Sequence, residues 1–245
     1  MSGHSKWAGI KHKKGALDVI KGKVFSKLSK EITISARMGG GDPEGNSSLR
    51  LAIAKAREAN MPADNIKRAI AKGTGEGGGE GIIENVIYEG YGTGGVAVLV
   101  EALTDNKKRA ASEIRHIFSR HGGNMGEAGC VSWLFNKKGV ITVDKNLISE
   151  DKLFDLTVSH GADDIKIEDD EYTITTQPGD FENVKEAIKS AGLEIKHAEI
   201  EMLPQNYIKI GEKEARQVLK LVEMLEENDD AQAVYSNMDI PDELL

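Results

Sequence analysis

A tract of nine residues, Gly73 to Gly81 (GTGEGGGEG), carries almost no side chains, and apolar residues recur at different intervals on its two sides. Backbone so rich in glycine favours neither helix nor strand, so no core-forming element runs through it. Before the tract, apolar positions return every three or four residues, the period of a helix. After it, short alternating runs and glycine-rich turns mark strands interleaved with helices. The tract is therefore a domain boundary, and the chain is expected to be a multidomain α and α+β protein.

On the N-terminal side, Leu17, Ile20, Val24, Leu28 and Ile32 form the apolar stripe of a helix that begins near Ala16 and stops at Gly39-Gly40-Gly41. A second helix starts at Asn46 or Ser47, both good caps, and buries Leu49, Ala52, Ile53 and Ala56. A third has Pro62 at its first position, Asp64 in its first turn, Ile66, Ala69 and Ile70 inward, and Gly73 as its stop. Short amphipathic helices with short connections predict a three-helix bundle. Ahead of them, Ser2 to Gly15 shows no periodicity and is expected to form a mobile basic arm.

Beyond the tract, Ile82 to Glu89 and Gly95 to Leu103 read as strands, Asn106 to His121 as a helix and Gly129 to Asn136 as a further strand. A βαββαβ pattern follows between Val140 and Met202, the ferredoxin-like order. Glu212 to Glu227 is a helix, and a strand lies near Ala231 to Ser236. Neither fragment flanking the βαββαβ unit makes a good sheet alone. The expected domains are thus 1–79 (arm plus helical domain), a split α+β domain of 80–136 and 205–245, and an inserted ferredoxin-like α+β domain of 137–204.

No apolar run approaches the ~20 residues that cross a bilayer, and the N-terminus lacks the apolar core of a signal peptide. Cys130 is the single cysteine, which leaves no disulfide framework and no thiolate zinc site. A cytoplasmic location is expected. The net charge of −8 is unevenly spread. Residues 1 to 75 hold 15 Lys+Arg against 6 Asp+Glu, and the rest hold 17 against 34, balances of +9 and −17. For a polyanionic partner the local field of the first third is what counts. Unlike charges that merely keep two domains soluble are the plain alternative.

The glycine motifs do not support an enzyme. Gly73, Gly75 and Gly78 match GxGxxG, as do Gly90, Gly92 and Gly95. A dinucleotide site needs a strand before the motif and a helix after it. The first match follows a helix and the second runs from strand to strand. His116 and His121 are five apart, off the spacing that shares a helix face, and the acidic cluster from Asp163 to Glu171 lacks calcium-loop spacing. No catalytic residue, metal, cofactor or small-molecule substrate is expected.

Nucleic acid fits better. Lys23, Lys27, Lys30 and Arg37 are spaced four, three and seven apart, a row of cations along one helix face suited to a phosphate backbone. The arm adds Lys6, Lys11, Lys13, Lys14, His12 and Trp7. An exposed Trp beside lysines stacks on an unpaired base, or else anchors the arm to the bundle. The row can equally be an ordinary solvated face. A second basic patch is expected from Lys107, Lys108, Arg109, Arg115 and Arg120.

The arm segment GHSKWAGIKHKK, with EGYGTGGVAVLVE, LTDNKKRAASEIRH and SRHGGNMGEAGCVSWLF, resembles the YebC/PmpR family along the whole length. Gly9 stands where the family pattern has Asn, and Thr93 where Pro is common; neither change touches a charged position. The resemblance implies three domains, the last of them inserted. It also implies a non-enzymatic regulator of gene expression, since bacterial members are described as DNA-binding transcriptional regulators. Mitochondrial relatives are translational activators of cytochrome oxidase, and ribosome-associated action has been proposed for bacterial members. Carried over, Lys6, Trp7, Lys11, His12, Lys13 and Lys14 are the foremost contacts, with Lys23, Lys27 and Lys30 next; Arg37 of the helix row and Arg109 of the second patch are expected contacts on their spacing alone. The partner is then ribosomal RNA or promoter DNA, the protein a monomer. Lysines position on phosphate without reading sequence, and no helix groups Asn, Gln or Arg at its start for base readout, which leans towards folded RNA. A module that binds a basic protein through its acidic domains is the alternative.

Overall fold

A computed structural model describes residues 19–76, 83–167 and 170–240. Leu17 and the arm, with Lys6, Trp7, Lys11, His12, Lys13 and Lys14, lie outside the described residues. The chain is mixed α+β, and its described part forms two compact units. One is Trp133–Tyr207; the other joins the segments up to Ser132 to those from Ile208 onward. The helices before the glycine tract therefore share a compact unit with the split sheet.

In the larger unit, α1 (Val19–Gly39), α2 (Ser47–Glu58) and α3 (Ala63–Thr74) close around one core. Ile32 and Ala36 of α1 meet Leu49, Ala52, Ile53 and Ala56 of α2 and Ile66 and Ala69 of α3. Asn46 serves two helices at once. Its side-chain oxygen accepts from Leu49 N (3.1 Å) at the start of α2. Its amide donates to Ser35 O (2.7 Å) and Gly40 O (2.9 Å) at the end of α1. One side chain thus caps the start of α2 and ties it to the end of α1.

Two helix boundaries differ from the sequence reading. Pro62 is the cap residue before α3, not its first helical position. Gly73 does not stop α3: the helix runs through it to Thr74 and ends at left-handed Gly75 (φ 86°). Gly73 is needed for packing, because a Cβ there would lie 2.4 Å from the Thr33 carbonyl oxygen and 2.7 Å from the Ala36 Cβ of α1. The missing side chain lets two helix backbones cross closely.

The split sheet has the order β3-β1-β2-β9, with β1 Glu84–Tyr91, β2 Ala97–Thr104, β3 Asn124–Met125 and β9 Ala231–Ser236. Val96 through Val100 are completely buried, because α4 (Lys107–Arg120) and α7 (Glu212–Glu226) bring Ile114, Phe118, Val218, Leu221 and Leu225 to the core. Two-residue strands β8 (Ile208–Lys209) and β10 (Met238–Asp239) add a parallel pair too short to leave a period in the sequence.

The expected strand at Gly129 to Asn136 is not one strand. Gly129 is left-handed (φ 88°), Ser132–Leu134 is a 3-10 turn, and Phe135 begins a ten-residue strand, β4 (Phe135–Asp144). A buried carboxylate shapes this loop: Glu89 accepts from the backbone N–H groups of Gly129, Val131 and Ser132, each at 2.7 Å. Burial pushes the Glu89 carboxyl up, but these bonds outweigh it and hold the group below the ordinary glutamate value.

The smaller unit runs β4, α5 (Glu150–Val158), β5 (Ala162–Ile167), β6 (Glu171–Thr176), α6 (Phe181–Ser190) and β7 (Ile195–Pro204). Its antiparallel sheet has the order β5-β6-β4-β7, and Ile141, Ile174, Leu153, Phe181 and Ile188 form its core. Pairing extends to Phe135↔Pro204, so the unit is a few residues longer at each end than the expected 137–204.

A substitution separates the two meanings of Gly73. Ala improves helix propensity by about 1 kcal/mol, which would stabilise an open position. Here Gly73→Ala is expected to destabilise the larger unit by about 2–3 kcal/mol, as overpacking against backbone does. Urea denaturation measures this, and a stabilised variant would restore Gly73 to a mere stop.

Candidate nucleic-acid interface

The lysine row on α1, exposed at Lys23 and half-buried at Lys27 and Lys30, meets the end of α7. A helix leaves its last carbonyls without intrahelical donors and concentrates partial negative charge there. The last turn of α7 holds no basic residue of its own. Lys23 Nζ donates to Glu227 O (3.1 Å), Lys27 Nζ to Glu226 O (2.7 Å) and Lys30 Nζ to Asp229 O (2.8 Å). The spacing of four and three residues that suited a phosphate backbone thus sets three ammonium groups on carbonyls at and just beyond a helix terminus, those of Glu226, Glu227 and Asp229.

Asp230 closes the junction. Only 2% exposed, it accepts from Lys30 Nζ (2.6 Å) through Oδ1, and from Thr104 Oγ1 (3.0 Å) and Arg109 Nη2 (2.8 Å) through Oδ2. Its backbone is held too: Leu103 N donates to Asp230 O (2.8 Å), and Asp230 N donates to Asn228 Oδ1 (3.0 Å). Burial raises the Asp230 carboxyl, but the hydrogen bonds from Arg109 and Lys30 and their charge more than offset this and leave it below the ordinary aspartate value. Asp230 is the residue of this junction that sequence reading misses. Its partners stand 200 and 121 positions away, so no local pattern marks it.

Arg109 is shared between Asp230, Asp105 (3.1 Å) and Glu113 (3.8 Å), and the hydrogen bond to Asp230 secures its positive charge. Arg37 has a different partner from the lysines: Nη1 donates to Ile83 O (3.3 Å), so it ties α1 to the chain just past the glycine tract. Of the proposed second patch, Lys107 pairs with Glu84 (3.0 Å), whereas Lys108, Arg115 and Arg120 are exposed. Cations gather at the end of α4. Burial lowers the affinity of His121 for a proton, and Arg120, Lys220 and His116 lower it further, so its imidazole favours the neutral form.

Other chemistry-bearing groups are placed as follows. His197, Glu199 and Glu201 alternate along β7, with candidate ligand atoms within 4.8 Å of one another, and His197 Nε2 lies 2.5 Å from Glu201 Oε1. Helical spacing does not reveal this strand-borne group, whose sequence signal is the alternation H-x-E-x-E. Burial and then the Glu89 charge raise the Cys130 thiol, which disfavours the nucleophilic thiolate. The Gly90 to Gly95 motif leads from β1 through a 3-10 turn at Thr93–Gly95 into β2, with no helix N-terminus to receive a phosphate.

Comparison with known proteins covers nearly the whole chain. Residues 5–76 match the family model described as the TACO1/YebC protein N-terminal domain, and residues 83–238 match that of the TACO1/YebC second and third domain. A protein of Syntrophus aciditrophicus named "Probable transcriptional regulatory protein" is 58% identical over 245 residues, covering 100% of this chain and 98% of that one. A protein of the same name from Treponema pallidum is 56% identical, covering 100% of both chains. The crystal structure of a conserved hypothetical protein from Aquifex aeolicus superposes with a TM-score of 0.82 at 47% identity, covering 93% of this chain and 94% of that one.

Asp230→Ala removes the acceptor from Lys30, Arg109 and Thr104 together. It is expected to cost about 2–4 kcal/mol at neutral pH, tempered by the partial exposure of both cations. Because the folded carboxyl titrates below its unfolded value, the stabilisation is complete above about pH 5. It disappears as the pH falls through the folded value. Urea midpoints of wild type and Asp230→Asn should therefore converge in acid, and a gap that stays constant down to about pH 3 would remove the charge from the account.

Proposed function

The chain belongs to the TACO1/YebC family, and from that premise we propose that it regulates gene expression without catalysis, by docking its basic arm and helical domain on nucleic acid. The carrying observation is the separation of charge, +9 in the first 75 residues against −17 in the remainder. A polyanion gains from the first and is repelled by the second, so recognition falls to the N-terminal third. Relatives named as probable transcriptional regulatory proteins support the regulatory part of this reading.

Lys6, Trp7, Lys11, His12, Lys13 and Lys14 are the first contacts. The next residues, Lys23, Lys27 and Lys30, already have internal acceptors, as do Arg37 and Arg109, although Lys23, Arg37 and Arg109 remain exposed. On this reading the helical part and split sheet act together as one unit and the ferredoxin-like Trp133–Tyr207 as another, in a cytoplasmic monomer. Among the described residues no helix is long and apolar enough to cross a membrane.

The partner is folded RNA, of which ribosomal RNA is the abundant form. Lysines supply charge without reading base edges, and a Trp in a lysine-rich arm suits a base that is already unstacked. Promoter DNA is the second reading, favoured by the names of the relatives.

Cross-linking in cells by ultraviolet light, purification under denaturing conditions and sequencing of the attached nucleic acid test both. Ribosomal RNA reads are the expected outcome, and reads confined to promoters would shift the role to transcription. In vitro, replacing Lys11, Lys13 and Lys14 with Ala should weaken binding to all sequences alike. The log–log salt slope should flatten by about 0.7–0.9 for each phosphate that is no longer neutralised. An unchanged slope would take the arm out of the interface. Trp7→Ala should harm looped RNA more than plain duplex; equal losses would make Trp7 a structural anchor.

A further inference from the structure

Lys23, Lys27 and Lys30 face two kinds of partner that want the same thing from them. A phosphate backbone presents closely spaced anionic oxygens; the end of α7 presents closely spaced acceptors of the same kind of donor, the carbonyls of Glu226, Glu227 and Asp229 and the carboxylate of Asp230. Inside the protein the acceptors sit at hydrogen-bond distance, between 2.6 and 3.1 Å, clustered within residues 226 to 230. An ammonium group has three donors, but its charge is a single point, and a lysine held on one anionic surface is a poor counterion for a second.

We propose that the junction of α1 with the end of α7 and Asp230 is an intramolecular latch that mimics a polyanion, so that nucleic acid and the latch compete for Lys23, Lys27 and Lys30. This rests on the nucleic-acid reading above and adds to it a cause of regulation: the arm binds first, and the row joins only when the latch yields. The partner it fits is a closely spaced run of phosphates. Such a run offers several full charges at once in place of carbonyl dipoles and one carboxylate. Arg109 follows the same logic at the far side of Asp230, since it loses its buried acceptor when Asp230 is withdrawn but keeps Asp105 and Glu113.

A covalent lock gives the test. In a Cys130→Ser background, Lys23→Cys and Glu227→Cys place thiols on two exposed residues of the junction, which a disulfide-containing bismaleimide joins and a reductant then frees. Locked and freed forms of one protein are compared by fluorescence anisotropy on inorganic polyphosphate and on a labelled RNA hairpin. Lys27 and Lys30 remain, so the freed form is expected to bind several-fold more tightly than the locked one. Its log–log salt slope should be steeper by about 1.4–1.8, the share of two neutralised phosphates. Asp230→Asn, without any cross-link, should bind polyphosphate more tightly than wild type. Equal affinities and slopes for locked and freed forms would overturn the latch, as would an unmodified protein that ignores polyphosphate. A lock-dependent response to polyphosphate with no binding to RNA or duplex DNA would keep the latch and reject the nucleic-acid reading. Lock-independent binding of RNA would do the reverse.

Discussion

A helix that ends inside a protein must find donors for its last carbonyls, and in this chain α7 finds them on a helix about two hundred positions earlier. With a lysine in its own last turn α7 could satisfy itself, and α1 would have no electrostatic reason to lie where it does. Lacking one, it draws three lysines from α1, and Asp230, the fourth residue beyond the helix, adds a full negative charge to the dipole. Thr104 and Arg109 reach the same carboxylate from the end of β2 and the start of α4. One buried aspartate therefore fixes the register between the helical part, the sheet and the helix that covers it.

A buried charge is stabilising only when its solvation is replaced in full. Asp230 meets that condition with three side-chain donors and a backbone held at both N–H and C=O. The same arrangement restricts the lysines, and here stability and binding pull against each other. Lysine is the residue type that allows both. Its point charge sits on a carbonyl without the fork geometry that would bind an arginine to one planar partner. Its long stem leaves the ammonium close to water, as the 20% exposure of the Lys30 side chain shows. Arg109, by contrast, spreads its guanidinium over three carboxylates and has less to gain from exchanging one of them.

What was legible in the sequence was what short-range physics decides. Asn46 and Asn106 mark helix starts because their side chains accept from a backbone N–H three residues on, and both do so. The apolar run at Val96 to Val100 reads as a buried strand because the sheet is covered there. What escaped depends on distant neighbours. Gly73 has the look of a helix stop, and only the crossing of α1 shows that the space is needed. The stretch from Gly129 to Asn136 alternates like a strand, yet Glu89, forty positions earlier, captures its N–H groups and bends it into a loop before β4 begins. The lysine row was visible as a row, but its acceptors were carbonyls, which a sequence does not display.

Charge works here on two length scales. At physiological ionic strength fields decay over roughly 8 Å, so the −17 of the acidic remainder deters a polyanion only where the two surfaces come close. A long, uniform duplex lying across the protein brings them close along its length. A compact fold of RNA that admits the N-terminal third alone does not. For the proposed nucleic-acid partner the overall charge of −8 is then no obstacle; it penalises the wrong geometry of approach. The lysines of α1 add a second penalty, because they become available only to a target whose phosphates are dense enough to replace a helix end and a buried carboxylate. Diffuse electrostatic attraction would be met by the arm and go no further. A target that both fits the basic third and offers closely spaced phosphates would gain the row as well, and selectivity would follow from shape and charge density without reading a single base.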